Sequence, residues 1–181
     1  MGFDETLERP TSFRVVFAGL LRALGRACQD IYGNRLVSLA VFGSVGRDRA
    51  RPDSDIDVLV VASHLPPGHA ARMREFDLVE ARLVRDLQNA ATGRGVTTRL
   101  SPIIRTPEEL CGAGLPFVDM VLEARVLFDR DRFFTRYAEG FRKALEAGGA
   151  RRVLDTATPH WRLRTAADKE RPEGGSRDGR G

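Results

Sequence analysis

The sequence is poor in cysteine, in lysine and in long apolar runs, and each shortage narrows what the chain does. Its 181 residues hold two cysteines, Cys28 and Cys111, far apart and in no CxxC pair. That spacing excludes a disulfide framework or a thiolate zinc site as the organising element, and both read as plain buried or half-buried thiols. No stretch approaches the roughly 18 consecutive apolar residues of a membrane-spanning helix. The opening MGFDETLERPTS carries acids where a secretory signal needs a basic start and an apolar centre. A soluble, cytoplasmic protein with no membrane partner is expected. All but two of the 29 basic residues are arginine, the exceptions being Lys143 and Lys169. The net charge of +4 is concentrated in residues 148–181, with eight basic residues against five acidic ones. The near-neutral remainder argues against a broad face for duplex DNA, although RNA or another polyanion stays open.

What is present reads as one α/β domain without internal repeats. Phe13, Val16, Phe17, Leu20, Leu21, Leu24, Cys28 and Ile31 recur at helical spacing after a Thr11-Ser12 pair that can cap the start. LVSLAVF, residues 36–42, and DIDVLVV, residues 55–61, read as buried strands flanking a charged loop with two glycines. Met73, Phe76, Val79, Leu83, Val84 and Leu87 mark one face of a helix over residues 70–90, and GVTTRLSPII is expected to be a third strand with Pro102 at an edge. Thr106-Pro107-Glu108-Glu109 has the chemistry of a helix start. A helix near 117–124, a strand RVLFD and a helix over 131–147 complete a domain at residues 1–147. Residues 148–165 are expected to pack on the domain or a partner, and the polar, glycine-rich 166–181 to be disordered. The order of elements implies a small mixed sheet with helices mainly on one face.

The chemistry concentrates in FGSVGRDRARPDSDIDVLV, residues 42–60. Strands disfavour aspartate, yet Asp55 and Asp57 stand at alternate positions where the second strand begins. Period two puts both carboxylates on one face, where they repel. A hard divalent cation resolves that conflict, and Mg²⁺ typically takes one or two carboxylates together with substrate phosphates. Gly43-Ser44 ends the neighbouring strand; glycine admits close phosphate approach, while the serine hydroxyl and following N–H groups can bind phosphate oxygens. Arg47, and with less reason Arg49 and Arg51, can add charge-assisted contacts. The loop has no lysine for GxxxxGK[ST]. The DSDID spacing fails as a calcium loop, with Val58 at the sixth position and His64 at the twelfth.

VFGSVGRDRARPDSDIDVLVV resembles the signature of the DNA polymerase beta-like nucleotidyltransferase superfamily, hG[GS] followed by [DE]h[DE]h, and in particular its minimal nucleotidyltransferases. The resemblance implies a nucleotidyltransferase fold. It implies transfer of a nucleoside monophosphate from an NTP, ATP among them, to an acceptor hydroxyl on a protein, an RNA end or a small molecule. Asp55 and Asp57 would be catalytic and hold Mg²⁺, as one ion or two; Gly43 and Ser44 would grip the triphosphate. It also implies a helical HEPN-type protein partner or a homo-oligomer, with antitoxin roles among the small members.

This sequence departs from that pattern in one respect. Active members commonly carry a third carboxylate on the following strand, whereas no Asp or Glu lies between Asp86 and Glu108, and the strand offers Thr97, Thr98 and Ser101 instead. The competing expectation is therefore a nucleotide-binding or antitoxin-like module that does not turn over. Glu108 would supply the missing anion only if its loop folds inward. His64, His69 and His160 have no partner at ligand spacing, and Trp161 reads as a core edge or partner surface.

Overall fold

The computed structural model describes residues 13–113, 121, 123–148, 151–153 and 160–162. The Thr11-Ser12 cap, most of the expected 117–124 helix, most of the 148–165 segment and the 166–181 tail lie outside the described residues. The chain divides into two compact units, residues 1–135 and 136–181.

The first unit is built on a four-stranded sheet of order β3-β2-β1-β4, with β1 Leu36–Phe42, β2 Ile56–Ala62, β3 Leu100–Arg105 and β4 Arg125–Asp129. β1 pairs antiparallel with β2 and β4, and β2 pairs parallel with β3. The parallel step needs a crossover, which α3 (His69–Arg94) supplies. Helix α1 (Phe13–Tyr32) buries Phe17, Leu20, Leu21, Leu24 and Cys28, as sequence periodicity predicts, while Val16 and Ile31 of the same stripe are half-buried and Tyr32 is buried in addition. Burial pushes the Cys28 thiol up to about 12, so it stays protonated and inert. Phe13, expected in that stripe, is 41% exposed at the helix start, and Val84 of α3 is 44% exposed.

Strand alternation divides the sheet into two faces. Leu39, Val41, Ile56, Val58, Val60, Ala62 and Ile104 share the core that α1 and α3 complete with Phe17, Leu24, Phe76, Val79 and Leu83. Period two sends Ala40, Leu59, Val61 and Asp57 to the opposite face. There the three apolar residues are buried, and the short helix α4 (Pro107–Ala113) packs against β2 and β3. The long helices α1 and α3 therefore cover one face, as expected, and among the described residues α4 packs against β2 and β3.

α4 starts with the expected chemistry. Thr106 Oγ1 accepts the Glu109 N–H at 3.2 Å, and Glu109 Oε2 accepts the Thr106 N–H at 3.0 Å, a reciprocal capping box. Arg72 of α3 forks onto the same carboxylate at 2.6 and 2.8 Å, holding Glu109 down at about 2. β3 is shorter than its sequence indicates because residues 97–99 tie loops together: Thr97 N–H donates to Pro52 O, and Arg99 N–H to Asp55 Oδ1. As the edge strand β3 exposes a backbone row, and two features blunt it. Ile56 N–H donates to Arg99 O, so the parallel ladder turns Leu100, Pro102 and Ile104 outward. Pro102 has no donor there, and the Ile104 carbonyl is taken by Arg72 and Arg105.

The end of β4 is fastened by Asp129. Its carboxylate accepts bonds from the Ser38 hydroxyl at 2.7 Å, the N–H groups of Phe134 and Thr135, and the Thr135 hydroxyl, thereby capping the next helix, α5 (Phe133–Ala147). In the second unit, Tyr137 and Phe141 of α5 stack at 6.3 Å, and β5 (Arg151–Val153) pairs antiparallel with β6 (His160–Arg162).

Burial pushes the Asp129 carboxyl up, but bonds from Thr135, Ser38 and the two N–H groups outweigh that effect and leave it below the ordinary Asp value. Its contribution to stability is thus present in full above the unfolded pKa and lost as pH falls through the folded one. We expect Asp129→Ala to cost about 2 kcal/mol or more at neutral pH, combining a lost cap with an orphaned buried hydroxyl. Urea titrations of both proteins should show that difference shrinking in acid.

Candidate active site

The sheet register brings the paired aspartates against the glycine-serine turn. Phe42, the last residue of β1, pairs with Asp57, so Gly43 begins beside that carboxylate. Gly43 has φ +68°, and a Cβ built there would fall inside the contact radius of Asp57 Oδ2 and 3.4 Å from Cγ. No other residue fits without moving the acid. From Gly43 the chain makes one helical turn, α2 (Gly43–Gly46), closed by Arg47 N–H to Gly43 O and Arg49 N–H to Ser44 O. Val45 is buried and anchors the turn in the core. A Cβ at Gly46 would lie 2.5 Å from Val41 O, so Gly46 is demanded by close backbone packing and Gly43 by its positive φ and the Asp57 carboxylate. Ser44 is half-buried in this turn, next to Gly43.

Asp57 is half-buried and Asp55 exposed. Burial pushes the Asp57 carboxyl above its ordinary value, the neighbouring Asp55 charge adds to that, and a hydrogen bond from Ser101 and the charge of Arg47 pull the other way. The upward effects win, burial foremost and the neighbouring anion second. Among the described residues no three Asp, Glu, His or Cys side chains are grouped to hold an ion; the site is a pair.

The parallel register places Ser101 directly across from Asp57. Of Thr97, Thr98 and Ser101, only Ser101 therefore meets the carboxylates from β3. Glu108 does not. It lies in the first turn of α4, beyond the far end of β3, where it is exposed and hydrogen-bonded to Thr106. Because β2 and β3 are parallel, their starts share the site end and α4 starts at the other; the loop folds away from Asp57.

Arg47 carries a partner that the sequence did not announce. Its Nη1 lies 3.3 Å from Oε2 of Glu123, a side chain only 9% exposed. No local pattern links positions 76 apart. Gly46 was likewise legible only as a turn residue.

With this geometry in hand, the comparisons decide the family. A model of the nucleotidyltransferase domain matches residues 21–127, more than half of the chain. The chain belongs to the nucleotidyltransferase domain family. A Methanocaldococcus jannaschii protein provisionally named as a protein adenylyltransferase is 31% identical over 115 residues, which cover 62% of this chain and 71% of that protein. A provisionally assigned nucleotidyltransferase structure from Sulfolobus solfataricus aligns with 70% of this chain and 95% of its own, at 16% identity and a TM-score of 0.43. A toxin-antitoxin structure with AMP-PNP aligns with 70% of this chain and 90% of its own, at 18% identity and a TM-score of 0.39. This nucleotidyltransferase is an enzyme of the transferase class by family. Among its described residues no helix is long and apolar enough to cross a membrane.

Two outcomes are expected. Gly43→Ala should lower stability by more than about 1 kcal/mol, because it combines a positive φ with displacement of the half-buried Asp57 carboxylate; thermal unfolding would measure it. In EDTA at neutral pH, Asp57→Asn should instead raise the unfolding midpoint. A carboxylate whose folded pKa is raised costs stability as pH climbs through the folded value, and the amide removes that cost.

Proposed function

We propose that the protein transfers a nucleoside monophosphate from an NTP, ATP in the first instance, to a hydroxyl of another protein in a Mg²⁺-dependent reaction. The observation that carries this is the fit of Gly43 against the Asp57 carboxylate, which gives a phosphate-sized turn and a paired anion a common space. The name carried by the Methanocaldococcus jannaschii relative supports a protein hydroxyl as the acceptor.

The donor set fits a hard cation. Asp55 and Asp57 are oxygen donors; burial and the Asp55 charge oppose ionisation of Asp57, and a divalent ion held by both would relieve that opposition. When bound, Mg²⁺ would draw charge from the phosphate oxygens during transfer. The chain's own residues do the rest. The N–H groups of the Gly43–Gly46 turn and the Ser44 hydroxyl bind the outer phosphates, and Arg47 faces the charge that gathers on them. The acceptor oxygen bonds to the α-phosphorus while the bond from that phosphorus to the α–β bridging oxygen breaks. Pyrophosphate leaves with the electron pair, and the hydroxyl proton passes to solvent. Arg47 is shared with Glu123, so phosphate binding competes with that carboxylate for the guanidinium.

A second reading is favoured by Ser101. A hydroxyl across from Asp57 bonds the carboxylate but adds no anion to activate an incoming hydroxyl, as a non-catalytic nucleotide-binding module would have it. Either reading accommodates a helical HEPN-type protein as partner or a second copy of the chain.

Incubation with α-labelled ATP, CTP, GTP or UTP and Mg²⁺, alone and with the product of the neighbouring gene, separates the two. Label on a protein band that falls at least about 100-fold in Asp57→Asn supports transfer, since losing charge stabilisation at the reacting phosphate costs about 3 kcal/mol or more. Saturable NTP binding with no labelled acceptor would establish the module instead.

A further inference from the structure

Resting on the transfer reading above, the geometry assigns the acceptor a direction and a charge. Across the site end of the sheet lie three stations in order: the Gly43-Ser44 turn after β1, the carboxylates on β2, and Ser101 on β3. Displacement at phosphorus runs with the attacking and leaving oxygens roughly in line. With the leaving pyrophosphate on the β1 turn, the acceptor oxygen must come from the opposite side, over the start of β3.

That side has a built rim. The loop before β2 and the segment before β3 are fastened by Thr97 N–H to Pro52 O and by Arg99 N–H to Asp55 Oδ1, and residues 51–54 form a turn closed by Ser54 N–H to Arg51 O. The fastening brings Arg51 and Arg99 to one border of the carboxylate pair. Both are exposed, and neither has an ion-pair partner among the described residues. Arg47, by contrast, is committed to Glu123 on the β1 side. Asp53, in the same turn, is the rim's own acid.

We propose that the acceptor protein presents an acidic segment to Arg51 and Arg99, so that its hydroxyl enters over the start of β3. An acidic protein fits better than a nucleic acid. Outside residues 148–181 the chain is close to neutral, which is too little positive charge to follow a phosphate backbone. Among the described residues, the exposed large apolar side chains, Phe13, Val15, Leu78, Val84 and Val126, include none on the rim for a base to stack on.

The test measures binding, so it needs no turnover. Fluorescence anisotropy of the full chain would compare a short Glu/Tyr peptide, its Lys/Tyr counterpart and a single-stranded RNA of equal length, with mant-ATP binding followed in parallel. We expect the Glu/Tyr peptide to bind in preference to the Lys/Tyr one and to weaken with salt. Arg51→Ala/Arg99→Ala should reduce that affinity about tenfold, the loss of one or two charge-assisted contacts, while leaving mant-ATP within about twofold. Equal binding of the two peptides overturns the proposal. So does a double variant that leaves peptide binding unchanged, or one that loses mant-ATP along with the peptide, which would make these arginines triphosphate ligands. Tighter binding of the RNA overturns the acidic-protein acceptor in favour of a nucleic acid. A failed transfer assay with peptide binding intact would count against the proposed function alone.

Discussion

The constraint on which this structure turns is the repulsion between Asp55 and Asp57. Asp57 lies in β2 and Asp55 immediately before it, held by the Arg99 N–H, so the two carboxylates stay close; the half-burial of Asp57 raises the cost of ionising it, and the Asp55 charge adds to that. The fold tolerates that conflict by surrounding the pair with partial compensation. Ser101 bonds Asp57, Arg47 contributes positive charge, and Arg99 N–H bonds Asp55. None of these is a full counter-ion, and the deficit is what makes the place receptive to a cation and to whatever phosphates accompany it.

Everything nearby follows from keeping that pair in register with the turn. The antiparallel pairing of Phe42 with Asp57 fixes where β1 ends, and Gly43 turns there because a side chain would occupy the volume of the carboxylate. Burial of Val45 and the contact of Gly46 with the Val41 carbonyl hold the turn down. The sheet behind them is stiff because α1 and α3 seal one face with a continuous apolar core. The strain of the site therefore sits on the least deformable part of the unit, a sound place for a function that depends on sub-ångström placement.

Much of this was legible in the sequence, for identifiable reasons. The helical stripes of α1 and α3 and the two buried strands follow from periodicity, and the Thr106–Glu109 start follows from capping chemistry; all are local signals. Gly43 and the aspartates were legible because residues that strands avoid appeared where strands begin. What escaped was non-local. The pairing of Arg47 with Glu123 spans 76 positions, the choice of Ser101 over Thr97 or Thr98 depends on a parallel register, and the shortening of β3 reflects hydrogen bonds given to a distant loop. Glu108 shows the same limit from the other side. Its closeness in sequence to β3 made it a candidate anion, but parallel pairing put the end of that strand away from the site.

Ser101 and Glu123 together bear on how the two substrates meet. On the β1 side the Glu123 carboxylate holds Arg47, so under the proposed function a phosphate there exchanges one anion for another and gains less than it would from an unpaired guanidinium. On the β3 side Asp57 meets a hydroxyl rather than a third acid, so β3 itself offers an approaching alcohol no carboxylate. Under the transfer reading both features weaken the site when it is considered alone, and the one on the β3 side can be offset by an acceptor. The proposed acceptor, bringing its own negative charge to the β3 rim, would supply orientation where β3 adds no carboxylate, and a hydroxyl of low pKa, such as a tyrosine, needs less activation than an aliphatic one. The arrangement therefore favours a transfer whose rate is set by the fit of one particular acceptor over indiscriminate modification of alcohols.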